Sequence, residues 1–152
     1  MAADSAAVTI DAWNLFYEQQ VVAQVREAMH VGVFSCPVET PLRTVAALMA
    51  RHQVHCIVVF DYGDEADEDR ELFGIVSDRD VAGAFAAGEV DERTAGNTAT
   101  SPLLTVEADE DLRRAAQLLT EHGASHLVVI DRTSQRPVGV LSTLDLARSL
   151  SS

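Results

Sequence analysis

The chain repeats itself, and that constrains its fold more than any other feature. Displaced by 70 residues, Leu42 falls on Leu112, Arg43 on Arg113, Ala46 on Ala116, Leu48 on Leu118, His52 on His122, Ile57 on Leu127, Val58 on Val128, Val59 on Val129 and Asp61 on Asp131. Further on the displacement drops to 65, bringing Gly74 onto Gly139, Ile75 onto Val140, Ser77 onto Ser142 and Asp80 onto Asp145. The difference is an acidic insertion between Asp61 and Gly74 in the first copy. A unit of about 55 to 60 residues buries little surface alone, so two such copies are expected to pack together on one plan.

The same periodicities occur in the same order in both copies. Ser35-Cys36, matched by Leu104-Thr105-Val106, reads as a short extended piece, and Pro37 and Pro41 keep a helix from starting earlier. A helix follows: Thr40 is placed to cap it with Pro41 at the first helical position, and Leu42, Val45, Ala46, Leu48 and Met49 recur at helical spacing up to His52. Leu112, Ala115, Ala116, Leu118 and Leu119 do the same in the second copy, with Gly123 as a left-handed end. An apolar strand comes next, Cys56 to Phe60 or His126 to Ile130, then a polar turn, then a second strand, Leu72 to Val76 or Val138 to Leu141. A last helix opens at Ser77 or Ser142. The predicted architecture is mixed α/β (α+β): two β-α-β-β-α repeats packed sheet to sheet with pseudo-two-fold symmetry. Residues 25–87 form the first repeat, 88–100 a linker and 101–152 the second. Ahead of them, Ile10 to Met29 places Ile10, Trp13, Leu15, Phe16, Val21, Val22 and Val25 among polar residues, so 1–24 is expected to be an amphipathic helical extension.

Charge and composition narrow the partners. All eleven basic residues are arginines, and against 24 acidic groups they leave a formal charge of -13. Scattered among carboxylates, they make no cationic stripe for nucleic acid. A long-range field of this sign repels anions, but beyond about 8 Å it is screened, so a few local arginines can still build an anion site. Apolar runs such as Leu127 to Ile130 are far short of the roughly 20 residues that span a bilayer. Met1 to Ala7 carry no basic and apolar leader pattern, so a cytoplasmic location is expected. Cys36 and Cys56 stand in apolar surroundings without C-x-x-C spacing and read as buried thiols.

The tandem pattern resembles a pair of CBS (cystathionine-β-synthase) domains, the Bateman module. The matching pieces are Val25-Arg26-Glu27-Ala28-Met29, Thr40-Pro41-Leu42, Cys56-Ile57-Val58-Val59-Phe60-Asp61 and Gly74-Ile75-Val76-Ser77-Asp78-Arg79-Asp80. The second copy supplies Leu112, His126-Leu127-Val128-Val129-Ile130-Asp131 and Gly139-Val140-Leu141-Ser142-Thr143-Leu144-Asp145. The resemblance spans about Val25 to Leu150, and what precedes Val25 has no counterpart in it. It implies a regulatory protein whose clefts bind adenosine-containing ligands, such as AMP, ADP, ATP or S-adenosylmethionine, and which pairs into homodimers. Carried over residue by residue, it implies that Ser77 and Asp80, and Ser142 and Asp145, face ribose and phosphate. Ser35 and Thr105, with backbone near Cys56-Ile57 and His126-Leu127, would flank the adenine.

The chemistry required is modest: a carboxylate for ribose hydroxyls, apolar walls for a base, and donors for phosphate at a helix start. Ser-x-x-Asp is also close to a capping box, and the two roles are compatible. Arg79 precedes Asp80 where Leu144 stands in the second copy, which favours the first site for ligands with more than one phosphate; the competing reading pairs Arg79 with Asp78 or Glu71. Arg132 and Arg136 are weaker phosphate candidates. The histidines of H-x-x-H-C (His52, His55, Cys56) and H-x-x-x-H (His122, His126) straddle helix end and strand, without a second complementary pair, so no metal site is expected. His52 and His122 suit helix C-termini, and His126 is placed to touch an adenine.

Asp61, Asp64, Glu65, Asp67, Glu68, Asp69 and Glu71 make an acidic loop whose Gly63 does not fit an EF-hand, leaving a solvated tip, a weak magnesium site or a partner-facing surface. Neither a nucleophile with a paired base nor a G-x-x-x-x-G-K-S/T loop occurs, so an enzyme is not expected and no catalytic cofactor is called for. The reading is a stand-alone sensor of an adenosine nucleotide, taken with or without magnesium, acting on an unidentified regulated protein. The alternatives are a ligand-free interaction scaffold and a divalent-cation sensor built on the 61–71 loop.

Overall fold

The computed structural model describes residues 23–61, 71–100 and 103–151, which carry the β-α-β-β-α order twice. Trp13, Phe16 and the rest of the predicted N-terminal helix up to residue 22 lie outside the described residues, as do acidic positions 62–70. In chain order, α1 (Val25–Ala28) and β1 (His30–Val31) come first. Then follow β2 (Ser35–Pro37), α2 (Leu42–His52), β3 (Cys56–Asp61), β4 (Glu71–Ser77) and α3 (Asp78–Ala86). A 3-10 turn (Val90–Glu92) and α4 (Ala95–Thr98) lead to β5 (Thr105–Glu107), α5 (Leu112–His122), β6 (His126–Ile130), β7 (Pro137–Ser142) and α6 (Thr143–Ser151).

The chain divides into two units. The one running from Gly32 to Leu104 holds a three-stranded sheet in the order β2-β3-β4, with β2 parallel to β3 and β3 antiparallel to β4. Its core gathers Leu42, Val45 and Met49 of α2, Ile57 and Val59 of β3, Val76 of β4, Ala84 of α3 and Ala95 of α4. Every residue from Cys56 to Phe60 is buried, which explains why β3 reads as an unbroken apolar run rather than an alternation. The other unit joins the segment ending at Val31 to the one beginning at Thr105, in a four-stranded sheet ordered β1-β7-β6-β5.

The segment ahead of each repeat therefore packs with a repeat other than the one it leads into. Ala23 O accepts from Leu112 N at 2.8 Å in one unit, and Arg93 O accepts from Leu42 N at 2.9 Å in the other. Each pair is joined by an isolated bridge, Gln24 with Asp111 and Pro41 with Thr94. These contacts correct two expectations. Thr40 does not cap α2; Pro41 is the N-cap, held extended by its bridge to Thr94, and makes no side-chain cap bond. In the corresponding place Asp111 does cap α5, accepting from Arg113 N at 2.8 Å. Nor does a helix run unbroken from Ile10 to Met29, because Gln24 is extended (φ -98°, ψ 155°) and bridged to Asp111, leaving α1 as one turn.

The helix ends agree better with their sequence. Gly123 caps α5 at φ 60°, as expected, and at the matching position of α2 Gln53 takes the same left-handed conformation at φ 54°. Two other glycines matter for a different reason, the close approach of a neighbouring backbone. A Cβ on Gly74 would stand 2.8 Å from Thr100 O, and one on Gly139 would overlap His30 O. Since the obstacle at Gly139 is backbone of β1, which pairs His30 with Val140 and Val31 with Gly139, it cannot rotate away. Gly139→Ala is expected to cost about 1–3 kcal/mol in chemical denaturation, with β1 peeled from β7.

Candidate functional site

The strand registers bring the sequence-predicted residues together within each unit. In the Gly32–Leu104 unit, Ser35 lies opposite Val58 on β3, and Cys56 lies opposite Ser77 at the end of β4. Ser35 is exposed, whereas Cys56 and Ile57 are buried, so only the backbone of those two can border a ligand. The second unit repeats this pattern. Thr105 lies opposite Val128, and His126 opposite Ser142; Thr105 is exposed, Leu127 fully buried and His126 half-buried with its Nδ1 2.9 Å from Ser125 Oγ.

At each helix start the capping box is formed. Asp80 Oδ2 accepts from Ser77 N at 2.8 Å and from Ser77 Oγ at 3.0 Å, and Ser77 Oγ accepts from Asp80 N at 3.2 Å. Asp145 and Ser142 make the same three bonds at 2.8, 2.9 and 3.1 Å. One carboxylate oxygen is thus committed to the local fold in each copy, and it tethers the side chain in one orientation. The second oxygen distinguishes the copies. No described residue donates to Asp80 Oδ1, and Asp80 is half-buried. Asp145 is the buried charged residue among the described residues, 4% exposed, and its Oδ1 lies 3.0 Å from His30 Nε2 and 3.9 Å from Arg148 Nη1.

Charge is distributed just as unevenly. Arg79, one residue before Asp80, is exposed and makes no ion pair among the described residues. Its neighbour Asp78 instead meets His55 Nδ1 at 2.8 Å. Arg132 is already engaged by Glu107 and Asp109, at 2.7 and 2.8 Å, and the hydrogen bond it donates to Asp109 holds that carboxyl below its ordinary range. Of the two thiols, Cys36 is pushed up by burial, against a partly offsetting hydrogen bond with Thr40, which keeps it an inert core group. No group of three His, Cys, Asp or Glu side chains among the described residues could hold a metal ion. His52 ends α2 and stacks on Phe34, ring centroids 4.1 Å apart.

Two residues at this site were not singled out from the sequence: His30, on a two-residue strand, and Arg148, one turn beyond Asp145 on α6. With Glu27, Ala28, Met29, Asp145 and Ser149 they line a pocket of about 300 Å³. Among the described residues no helix is long and apolar enough to cross a membrane.

A duplicated β-α-β-β-α protein with one serine-and-carboxylate helix start per copy is what the fold and site define. The chain belongs to the CBS domain family, whose sequence pattern matches residues 25–87 and 95–152. Hypoxic response protein 1 of Mycobacterium tuberculosis is 28% identical over 127 residues, covering 82% of this chain and 83% of that protein. A crystal structure of Hypoxic Response Protein I, with two coordinated zinc ions, is 26% identical and superposes with a TM-score of 0.64 over 83% of this chain and 98% of that one. Similar folds are found in the CBS domain pair of protein MJ0100, in complex with 5'-methylthioadenosine and S-adenosyl-L-methionine (TM-score 0.72, 19% identity, 86% and 97% covered). The CBS domain protein PAE2072 from Pyrobaculum aerophilum, complexed with AMP, is another (TM-score 0.70, 24% identity, 86% and 100% covered).

Proposed function

We propose that this chain is a non-catalytic regulatory sensor that binds an adenosine-containing nucleotide, AMP, ADP, ATP or S-adenosylmethionine, and signals by a change in conformation or pairing. The observation that carries the reading is the helix start at Ser77: a carboxylate fixed by its own cap, with its second oxygen open, beside an arginine with no ion pair among the described residues. A ribose diol needs an acceptor already aimed and not otherwise engaged, and a phosphate needs a cation and helix amides. Asp80 supplies the first, and Arg79 with the start of α3 the second. Ser35 and the backbone at Cys56-Ile57 would border the base; Thr105, His126, Leu127, Ser142 and Asp145 are their counterparts in the other repeat. The CBS pairs of similar fold that hold adenosine compounds lend support from outside the chain. The reading includes a cytoplasmic homodimer with an unidentified regulated partner, because a ligand that favours one state must alter something another molecule can read.

The test is thermal unfolding with AMP, ADP, ATP, S-adenosylmethionine and NAD, each with and without magnesium. A ligand at about 100 times its dissociation constant adds about 2.7 kcal/mol, raising the midpoint by roughly 5 to 10 °C. A shift selective for one adenosine compound is the expected result. A shift with magnesium alone would replace this reading with a cation sensor on the acidic loop, and no shift at all would leave a scaffold.

A further inference from the structure

We propose that His30 decides which repeat takes the ligand: its imidazole occupies the Asp145 carboxylate and closes that site, so that Asp80 serves the adenosine ligand alone. This rests on the adenosine reading above.

The two units offer an internal comparison. His30 pairs with Val140 of β7, and Thr100 bridges Ile75 of β4, with Val140 and Ile75 in corresponding places of the repeat. Gly139 and Gly74 confirm the correspondence, since the backbone of His30 crowds the first as that of Thr100 crowds the second. The same backbone position thus carries an imidazole in one unit and a threonine in the other. Thr100 does not bond Asp80, whereas His30 Nε2 reaches Asp145 Oδ1 at 3.0 Å.

The consequence for a ribose is direct. Asp145 Oδ2 already serves Ser142 N and Oγ, and His30 takes up Oδ1, so a ribose hydroxyl would have to share an oxygen that is already engaged. Asp145 has 3% of its side chain exposed, so a hydroxyl approaching Oδ1 competes with the imidazole for it. His30 has 67% of its side chain exposed and can be trimmed without cutting into the core. It lines, with Asp145 itself, the pocket shared with Glu27 and Arg148, so a smaller side chain would widen that space beside the carboxylate.

The experiment is isothermal titration of the full chain with AMP and, separately, S-adenosylmethionine, comparing wild type with His30→Thr, the residue this protein uses at the corresponding place. His30→Ala serves as a second variant, and circular dichroism checks that each is folded. The expected result is one more site per chain in His30→Thr than in wild type, the added site weakened at least about tenfold by Asp145→Ala, or by Asp145→Asn if the alanine variant unfolds. An unchanged count in both His30 variants overturns the proposal while wild-type binding leaves the adenosine reading standing, and an added site indifferent to Asp145 overturns it equally. Absence of binding to wild type and variants with both probes overturns the proposal for those two ligands and removes AMP and S-adenosylmethionine from the adenosine reading.

Discussion

Asp80→Ala is expected to weaken AMP binding by about 10- to 100-fold in titration calorimetry, while Asp145→Ala leaves the affinity of the wild-type site within about threefold. The asymmetry comes from what each carboxylate can still offer. Both spend one oxygen on the serine that caps their helix, but Asp80 keeps the other, and Asp145 gives it to His30. A hydrogen bond to a charged acceptor is worth about 1.5–3 kcal/mol, which sets the size of the loss. Removing Asp80 also removes the returning half of the capping box, at a cost of about 1 kcal/mol in stability, so the affinity must be read on folded protein. Asp80→Asn separates the two effects, because its side-chain carbonyl can still accept from Ser77 N while the second position becomes a donor. Arg79→Ala should then weaken ADP and ATP more than AMP, since an exposed guanidinium matters in proportion to the phosphates it faces. Equal losses from Asp80→Ala and Asp145→Ala would remove the argument from the open oxygen.

Much of this arrangement was legible because the repeat compares the sequence with itself. The strands Cys56–Asp61 and His126–Ile130 follow from unbroken apolar runs, and the helix starts at Ser77 and Ser142 from Ser-x-x-Asp. His30 was not legible. Its strand is two residues long, too short for any period, and its counterpart Thr100 shares no chemistry with it. The signal that could have found it was the displacement of 70 carried backwards, which places Gln24 on Thr94 and Glu27 on Asn97; Gln24 N donates to the Glu27 side chain as Thr94 N does to that of Asn97. Thr40 failed for the opposite reason: the local Thr-Pro pattern is a sound helix start, but a bridge from Pro41 to Thr94, distant in sequence, holds the backbone extended. Local rules yield where a distant segment supplies the partner that a helix end would otherwise lack.

Ile57→Ala is expected to destabilise the protein by about 2–5 kcal/mol, against the roughly 5–15 kcal/mol typical of a whole domain, and to lower the unfolding midpoint by about 5 to 15 °C. Ile57 is fully buried in the cluster formed with Leu42, Val45, Val59 and Val76, so the lost methylenes leave a cavity rather than a wetted surface. The same substitution tests how Ile57 belongs to the site. If only its backbone borders the adenine, affinity measured well below the lowered midpoint should stay within about threefold of wild type. The side chain faces the core and the strand remains paired through Val76. A loss of affinity comparable to that of Asp80→Ala would instead mean that core packing sets the position of β3 against the ligand. Stability and binding would then be coupled through that strand, and second-site substitutions that refill the cavity should restore both together.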